Sequence, residues 1–78
     1  MSTTIVKLLD LRGLSCPLPI AKTAQAIRGL SVGDLIEVHA TDPGSVPDFA
    51  AWCTTAGHEL VGRTDADGVY RFVIRKAR

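Results

Sequence analysis

IVKLLDLRGLSCPLPIAKTAQAIRGL, residues 5 to 30, joins a run with strand character to a run with helical spacing, and its reading decides the fold. Residues 5 to 11 are rich in Ile, Val and Leu and are stopped by Arg12-Gly13, as a short strand should be. From Ile20 the apolar side chains fall at 20, 24, 27 and 30, with Lys22, Gln25 and Arg28 elsewhere, which is the spacing of a helix over three turns. Gly29 is expected to end that helix, with Arg28 in its last turn at the negative end of the dipole.

Outward from this unit the same reasoning gives four further elements. LIEVHA, residues 35 to 40, alternates Ile36, Val38 and Ala40 against Leu35, Glu37 and His39, the period of a half-buried strand. Ser45-Val46-Pro47-Asp48 matches the Ser-x-x-acid pattern that caps a helix start, and the helix after it should run to about Ala56. Its apolar stripe is 46, 49, 50, 53 and 56, and Gly57 closes it. HELVGRT and VYRFVIR then flank Asp65-Ala66-Asp67-Gly68, whose Asp-Gly pair signals a hairpin. In the last strand Tyr70, Phe72 and Ile74 share one face, and Arg71 and Arg75 the other. The order β-α-β-α-β-β predicts an α/β two-layer sandwich: a mixed four-stranded sheet with both helices on one face. The other face is left open for a partner.

Seventy-eight residues fit a single domain spanning 1–78, near the lower size limit for folding without disulfides or metals. Apolar residues at 46% and charged residues at 22% set the chain apart from disordered sequences. A net charge of +1 provides no field able to steer a polyanion, although RFVIRKAR at the C-terminus holds four of the nine cations. Two cysteines are too few for a disulfide scaffold, and MSTTIVKLLD lacks the basic head and apolar run of a secretion signal. The expectation is a cytoplasmic protein with reduced thiols and no membrane span.

The chemistry concentrates on Cys16. A residue preceding proline is pushed out of helical geometry and proline is favoured at the first helical position, so Cys16 is expected as the N-cap and Pro17 as the first helical residue. Pro19 has no N–H, which leaves the Leu18 amide to meet the sulfur. A cysteine at a helix N-terminus can be acidified into a thiolate nucleophile. It can equally be a small, partly buried residue, and spacing alone leaves the two readings level. No base is placed beside it, since His39 and His58 are the only histidines, and the cysteines and histidines lack zinc-site spacing.

The run LDLRGLSCPLPIAKT resembles the Cys-Pro-x-Pro signature of the TusA/SirA family of small sulfur-carrier proteins, here Cys16-Pro17-Leu18-Pro19. The likeness extends through the central region, with Asp42-Pro43 and the Gly-His-Glu-Leu run at 57 to 60, to the closing strand YRFVIRKAR. It implies a SirA-like fold and a sulfurtransferase-type carrier with little turnover of its own. Cys16 would take a sulfane sulfur as a persulfide, without a cofactor, from a donor such as a cysteine desulfurase or a rhodanese. It would pass that sulfur to a downstream acceptor protein serving tRNA thiolation, sulfur oxidation or cofactor biosynthesis. The carriers that feed tRNA thiolation often have Glu where this chain has Leu18, which puts that route in doubt. Arg12 and Lys22 flank the thiol in sequence and are candidates for docking a partner or favouring the thiolate.

Cys53 lies on the apolar stripe of the second helix, where a free cysteine acts as a small hydrophobe. Two rival readings stand beside the carrier. The element order also resembles the C-terminal domain of translation initiation factor three, which implies a nucleic-acid-binding module presenting Arg71 and Arg75. The other is a thiol regulator in which Cys16 and Cys53 form a disulfide.

Overall fold

The computed structural model describes residues 4–78; residues 1–3, on which part of the reading of the N-terminus rests, lie outside the described residues. The elements are β1 (Ile5–Asp10), α1 (Leu18–Ile27), β2 (Leu35–Ala40), α2 (Ser45–Ala56), β3 (Glu59–Ala66) and β4 (Val69–Arg75). β1 and β2 are parallel, β4 runs antiparallel to both β2 and β3, and the order across the sheet is β1-β2-β4-β3. This is the expected mixed sheet, with the hairpin folded so that its second strand lies beside β2. Composition explains the choice. β4 brings Phe72 and Ile74, both fully buried, whereas β3 carries Gly62, Arg63, Thr64 and Asp65 and is suited to an edge. The hairpin turns on Asp67 and Gly68, both at positive φ (54° and 77°), as a two-residue turn between Ala66 and Val69 requires.

Register then fixes the two faces. Val38 pairs with Phe72 and Ile36 with Ile74, so the expected inward set of β2 and β4 meets on one side. There it packs with Ile27 of α1 and with Phe49 and Cys53 of α2. The rings of Phe49 and Phe72 lie 4.6 Å apart, and Trp52 stands edge-on to Phe49 at 6.4 Å at the border of this core. Glu37, His39, Arg71 and Arg75 face the other way. On that open side the His39 Nε2 meets Glu37 Oε2 at 2.5 Å and Arg75 donates to Glu59 at 3.0 Å. Cations alternate with acids across this face, so the strand arginines build no basic tract of the kind that holds a phosphate backbone.

Two helix boundaries differ from expectation. α1 begins at Leu18 with Pro17 as its N-cap, so Pro19 occupies the second helical position and Cys16 lies one residue outside the cap. At its other end Arg28 is the C-cap, just beyond the last turn. α2 starts at Ser45, the residue expected as its cap, with Gly44 as its N-cap and no side chain capping it. Asp42 organises this entrance instead, its Oδ1 accepting from the Gly44 N–H at 3.1 Å and its carbonyl from the Ser45 N–H at 2.9 Å. The Ser45 hydroxyl is buried without a partner, and the expected Ser45–Asp48 capping pair does not form.

Gly57 ends α2 in the left-handed region (φ 81°), and the Arg78 side chain occupies the space a Cβ there would need. The chain end thus packs over the α2–β3 turn. The Ala77 N–H donates to His58 Nδ1 at 3.1 Å, and the His58 ring lies 5.5 Å from Trp52. Burial, followed by the charges of Lys76 and Arg78, holds the His58 pKa below its ordinary value. A histidine kept neutral by folding contributes its stability above the unfolded pKa and loses it as pH falls through the folded one. Protonated Nδ1 cannot accept the Ala77 bond. Lowering the pH from about 7.5 to about 5 is therefore expected to release the terminal residues, seen as lost exchange protection of the Ala77 amide and altered Trp52 fluorescence. His58→Leu should remove that pH dependence.

Candidate functional site

Because β1 and β2 are parallel, the loops that leave them emerge at the same end of the sheet, and the backbone stitches them together. The Leu11 N–H donates to the His39 carbonyl at 2.8 Å, prolonging the pairing past β1. Gly13 turns the chain at φ 84° and donates its N–H to Thr41 Oγ1 at 2.9 Å. Three residues on, the Cys16 N–H donates to Asp42 Oδ2 at 3.1 Å. One carboxylate thereby holds the cysteine backbone with one oxygen and the first amide of the α2 entrance with the other.

Cys16 is exposed, and its peptide bond to Pro17 is cis. The Leu18 N–H expected to meet the sulfur donates instead to the Ser15 carbonyl at 3.0 Å. With Pro17 and Pro19 carrying no N–H, the start of α1 aims none of these groups at Sγ. Asp48 follows Gly44 by one helical turn, its N–H bonding the Gly44 carbonyl at 3.2 Å. Interaction with the Asp48 carboxylate, then desolvation, then the charges of Asp48 and Asp42, push the Cys16 pKa above its ordinary value. The direction is opposite to the acidification expected of a cysteine at a helix N-terminus.

The flanking residues divide. Arg12 forms a two-pronged ion pair with Asp10, Nε to Oδ1 at 2.7 Å and Nη2 to Oδ2 at 2.8 Å, which holds the Asp10 carboxyl down at about 2. Its guanidinium is committed to β1, and neither it nor Lys22 figures among the groups that shift the thiol. Leu18, two residues after the cysteine, is 46% exposed, and Lys22 follows it four residues on along the same helix face. Pro17 is exposed and Pro19 buried.

Cys53 fills the core at 3% exposure, and burial pushes its thiol up to about 11. It stands five residues beyond Asp48 on α2, some 7–8 Å along the axis and about 140° around it. Both cysteines are free, Cys16 exposed and Cys53 buried. Sequence reasoning missed the contact of Asp42 with Cys16. The one available signal was that the Asp42 loop leaves the same sheet end as the cysteine loop.

An exposed cysteine on a parallel βαβ edge, with both helices covering one sheet face, defines a small thiol-bearing α/β sandwich. Comparison with known proteins gives it a family. The family model described as "Sulfurtransferase TusA" matches residues 7–76, and the chain belongs to that family of sulfur carriers. It is 44% identical over 70 residues to the putative sulfur carrier protein YrkI of Bacillus subtilis, covering 90% of this chain and 93% of the relative. It is 42% identical over 69 residues to the sulfur carrier protein TusA of Allochromatium vinosum, covering 88% of this chain and 91% of that one. Against the putative sulfur carrier protein YrkF of Bacillus subtilis the identity is 47% over 77 residues, and there the chain spans 40% of the relative's length. Among solved structures, a SirA-like protein from Desulfitobacterium hafniense superposes with a TM-score of 0.82, at 20% identity, over 94% of this chain and 100% of that one. Among the described residues no helix is long and apolar enough to cross a membrane.

Proposed function

We propose that this protein is a persulfide carrier: Cys16 accepts a sulfane sulfur from a donor protein and hands it to the thiol of an acceptor protein. The observation that carries the reading is the placement of the Cys16 sulfur. It is exposed, on a loop pinned to a second loop by the Gly13–Thr41 and Cys16–Asp42 bonds, so that partners meet it in a fixed position. Sulfane transfer between thiols needs a nucleophilic sulfur and access for the partner, with no metal or organic cofactor in the step. Leu18 and Lys22 give the docking face an apolar contact and a cation. Arg12 lies on the same loop and contributes through the Asp10–Arg12 pair. A cysteine desulfurase or a rhodanese is the donor class that supplies sulfur at this oxidation level in the reducing cytoplasm.

The test is a loading reaction. With a cysteine desulfurase and cysteine, the intact protein should gain the mass of one sulfur atom, lost again on treatment with a thiol reductant. No added mass, under conditions in which the desulfurase loads YrkI, would remove the proposal.

A further inference from the structure

The segment that carries the thiol is held at both ends by side chains from one dipeptide of another element. Thr41 and Asp42 directly follow β2, and they bind amides 28 and 26 residues away in sequence. Thr41 Oγ1 accepts from the Gly13 N–H at 2.9 Å and Asp42 Oδ2 from the Cys16 N–H at 3.1 Å, so residues 13 to 16 are fastened at their first and last members. Asp42 is itself anchored, its Oδ1 accepting from the Gly44 N–H at 3.1 Å and its carbonyl from the Ser45 N–H at 2.9 Å. A carboxylate suits this arrangement because both oxygens accept, whereas an asparagine would turn its NH2 toward one of the two amides and lose that bond. Gly13 and Cys16 are exposed, so water could satisfy their amides equally well. What the two side chains add is a fixed loop conformation.

We infer that Thr41 and Asp42 are positioning residues of sulfur transfer, a clamp that sets the Cys16 loop in the arrangement a partner protein's persulfide meets. This rests on Cys16 as the sulfur-accepting residue. A loop fixed beforehand spares a docking partner the cost of ordering it, while the intrinsic reactivity of the thiol stays nearly the same. A small donor, which docks on nothing, gains little from the clamp.

Two donors separate these effects. Glutathione persulfide gives its outer sulfur to Cys16 and leaves as glutathione without docking, whereas a cysteine desulfurase must dock. Loading rate constants, kcat/KM for the desulfurase and the second-order constant for glutathione persulfide, are compared in wild type, Asp42→Asn and Thr41→Val. Each variant should lose at least about tenfold with the desulfurase. With glutathione persulfide, Thr41→Val changes no charge and should match the wild type. Asp48, then desolvation, then Asp42 hold the Cys16 pKa up, so Asp42→Asn should match the wild type or react faster. Hydrogen exchange should quicken at the Cys16 amide in Asp42→Asn and at the Gly13 amide in Thr41→Val. Cys53, buried in the native protein, reports folding by resisting iodoacetamide, and if one variant exposes it the other decides. Desulfurase loading at the wild-type rate refutes the clamp and leaves the carrier reading standing. A loss confined to one of two folded variants refutes it as well, Asp42→Asn alone pointing to a charge the partner contacts. Equal losses with both donors would mark a damaged thiol and refute it too. If the wild type gains no sulfur at Cys16 from either donor, the carrier reading itself fails.

Discussion

Phe72→Ala is expected to cost about 3–5 kcal/mol of folding stability, read as a fall in the urea midpoint at unchanged slope. Phe72 is fully buried on β4, a central strand, and its ring packs 4.6 Å from that of Phe49, so one truncation opens the contact between sheet and α2. A chain of 78 residues has a total stability of roughly 4–12 kcal/mol, so the loss is a large part of the whole. Val73→Ala, one residue along and on the opposite sheet face, makes the comparison sharp. It should cost no more than about 1 kcal/mol, because among the described residues no second layer covers that face. Equal losses at the two positions would contradict a core lying on one side of the sheet only.

The second large effect is chemical. Cys16→Ser should abolish uptake of sulfur from a desulfurase, while Cys53→Ser should load to the wild-type extent. The serine hydroxyl is not nucleophilic at neutral pH and cannot hold a sulfane sulfur, so the loss at position 16 is complete rather than graded. Cys53, at 3% exposure and with its thiol pushed up to about 11 by burial, offers neither access nor thiolate. Retained labelling of Cys16→Ser would place the carrier function on another atom. An oxidised Cys16–Cys53 disulfide in the native protein would instead favour the thiol-regulator reading.

The parts of the fold legible in the sequence were those carried by local periodicity. Alternation in LIEVHA and VYRFVIR marked β2 and β4 because each buries one face only, and Gly57 marked the end of α2 because that residue adopts a left-handed conformation. The start of α1 was less legible, since Pro17 and Pro19 both satisfy the rule for an early helical proline and nothing local chooses between them. The strand order needed a comparison of whole strands, polar β3 against apolar β4, rather than a motif.

At the site, Cys16 was visible and its environment was not. The bond from its amide to Asp42 spans 26 residues, and Asp48 looked like a capping residue because Ser45-x-x-Asp48 has the right spacing. Asp42 takes the amides at that helix start instead. A rule about cysteines at helix N-termini weighs the dipole of α1 alone. Here the Asp48 carboxylate, then desolvation, then the charge of Asp42 push the Cys16 pKa in the opposite direction.

The most direct measurement is tandem mass spectrometry of peptides from the sulfur-loaded wild-type protein, alkylated without prior reduction. The prediction is one additional sulfur atom on the peptide containing Cys16-Pro17-Leu18-Pro19, with the Cys53 peptide at its unloaded mass. Sulfur found on Cys53, or a loaded protein whose Cys16 peptide keeps the mass of the plain thiol, would contradict the assignment of Cys16 as the carrier.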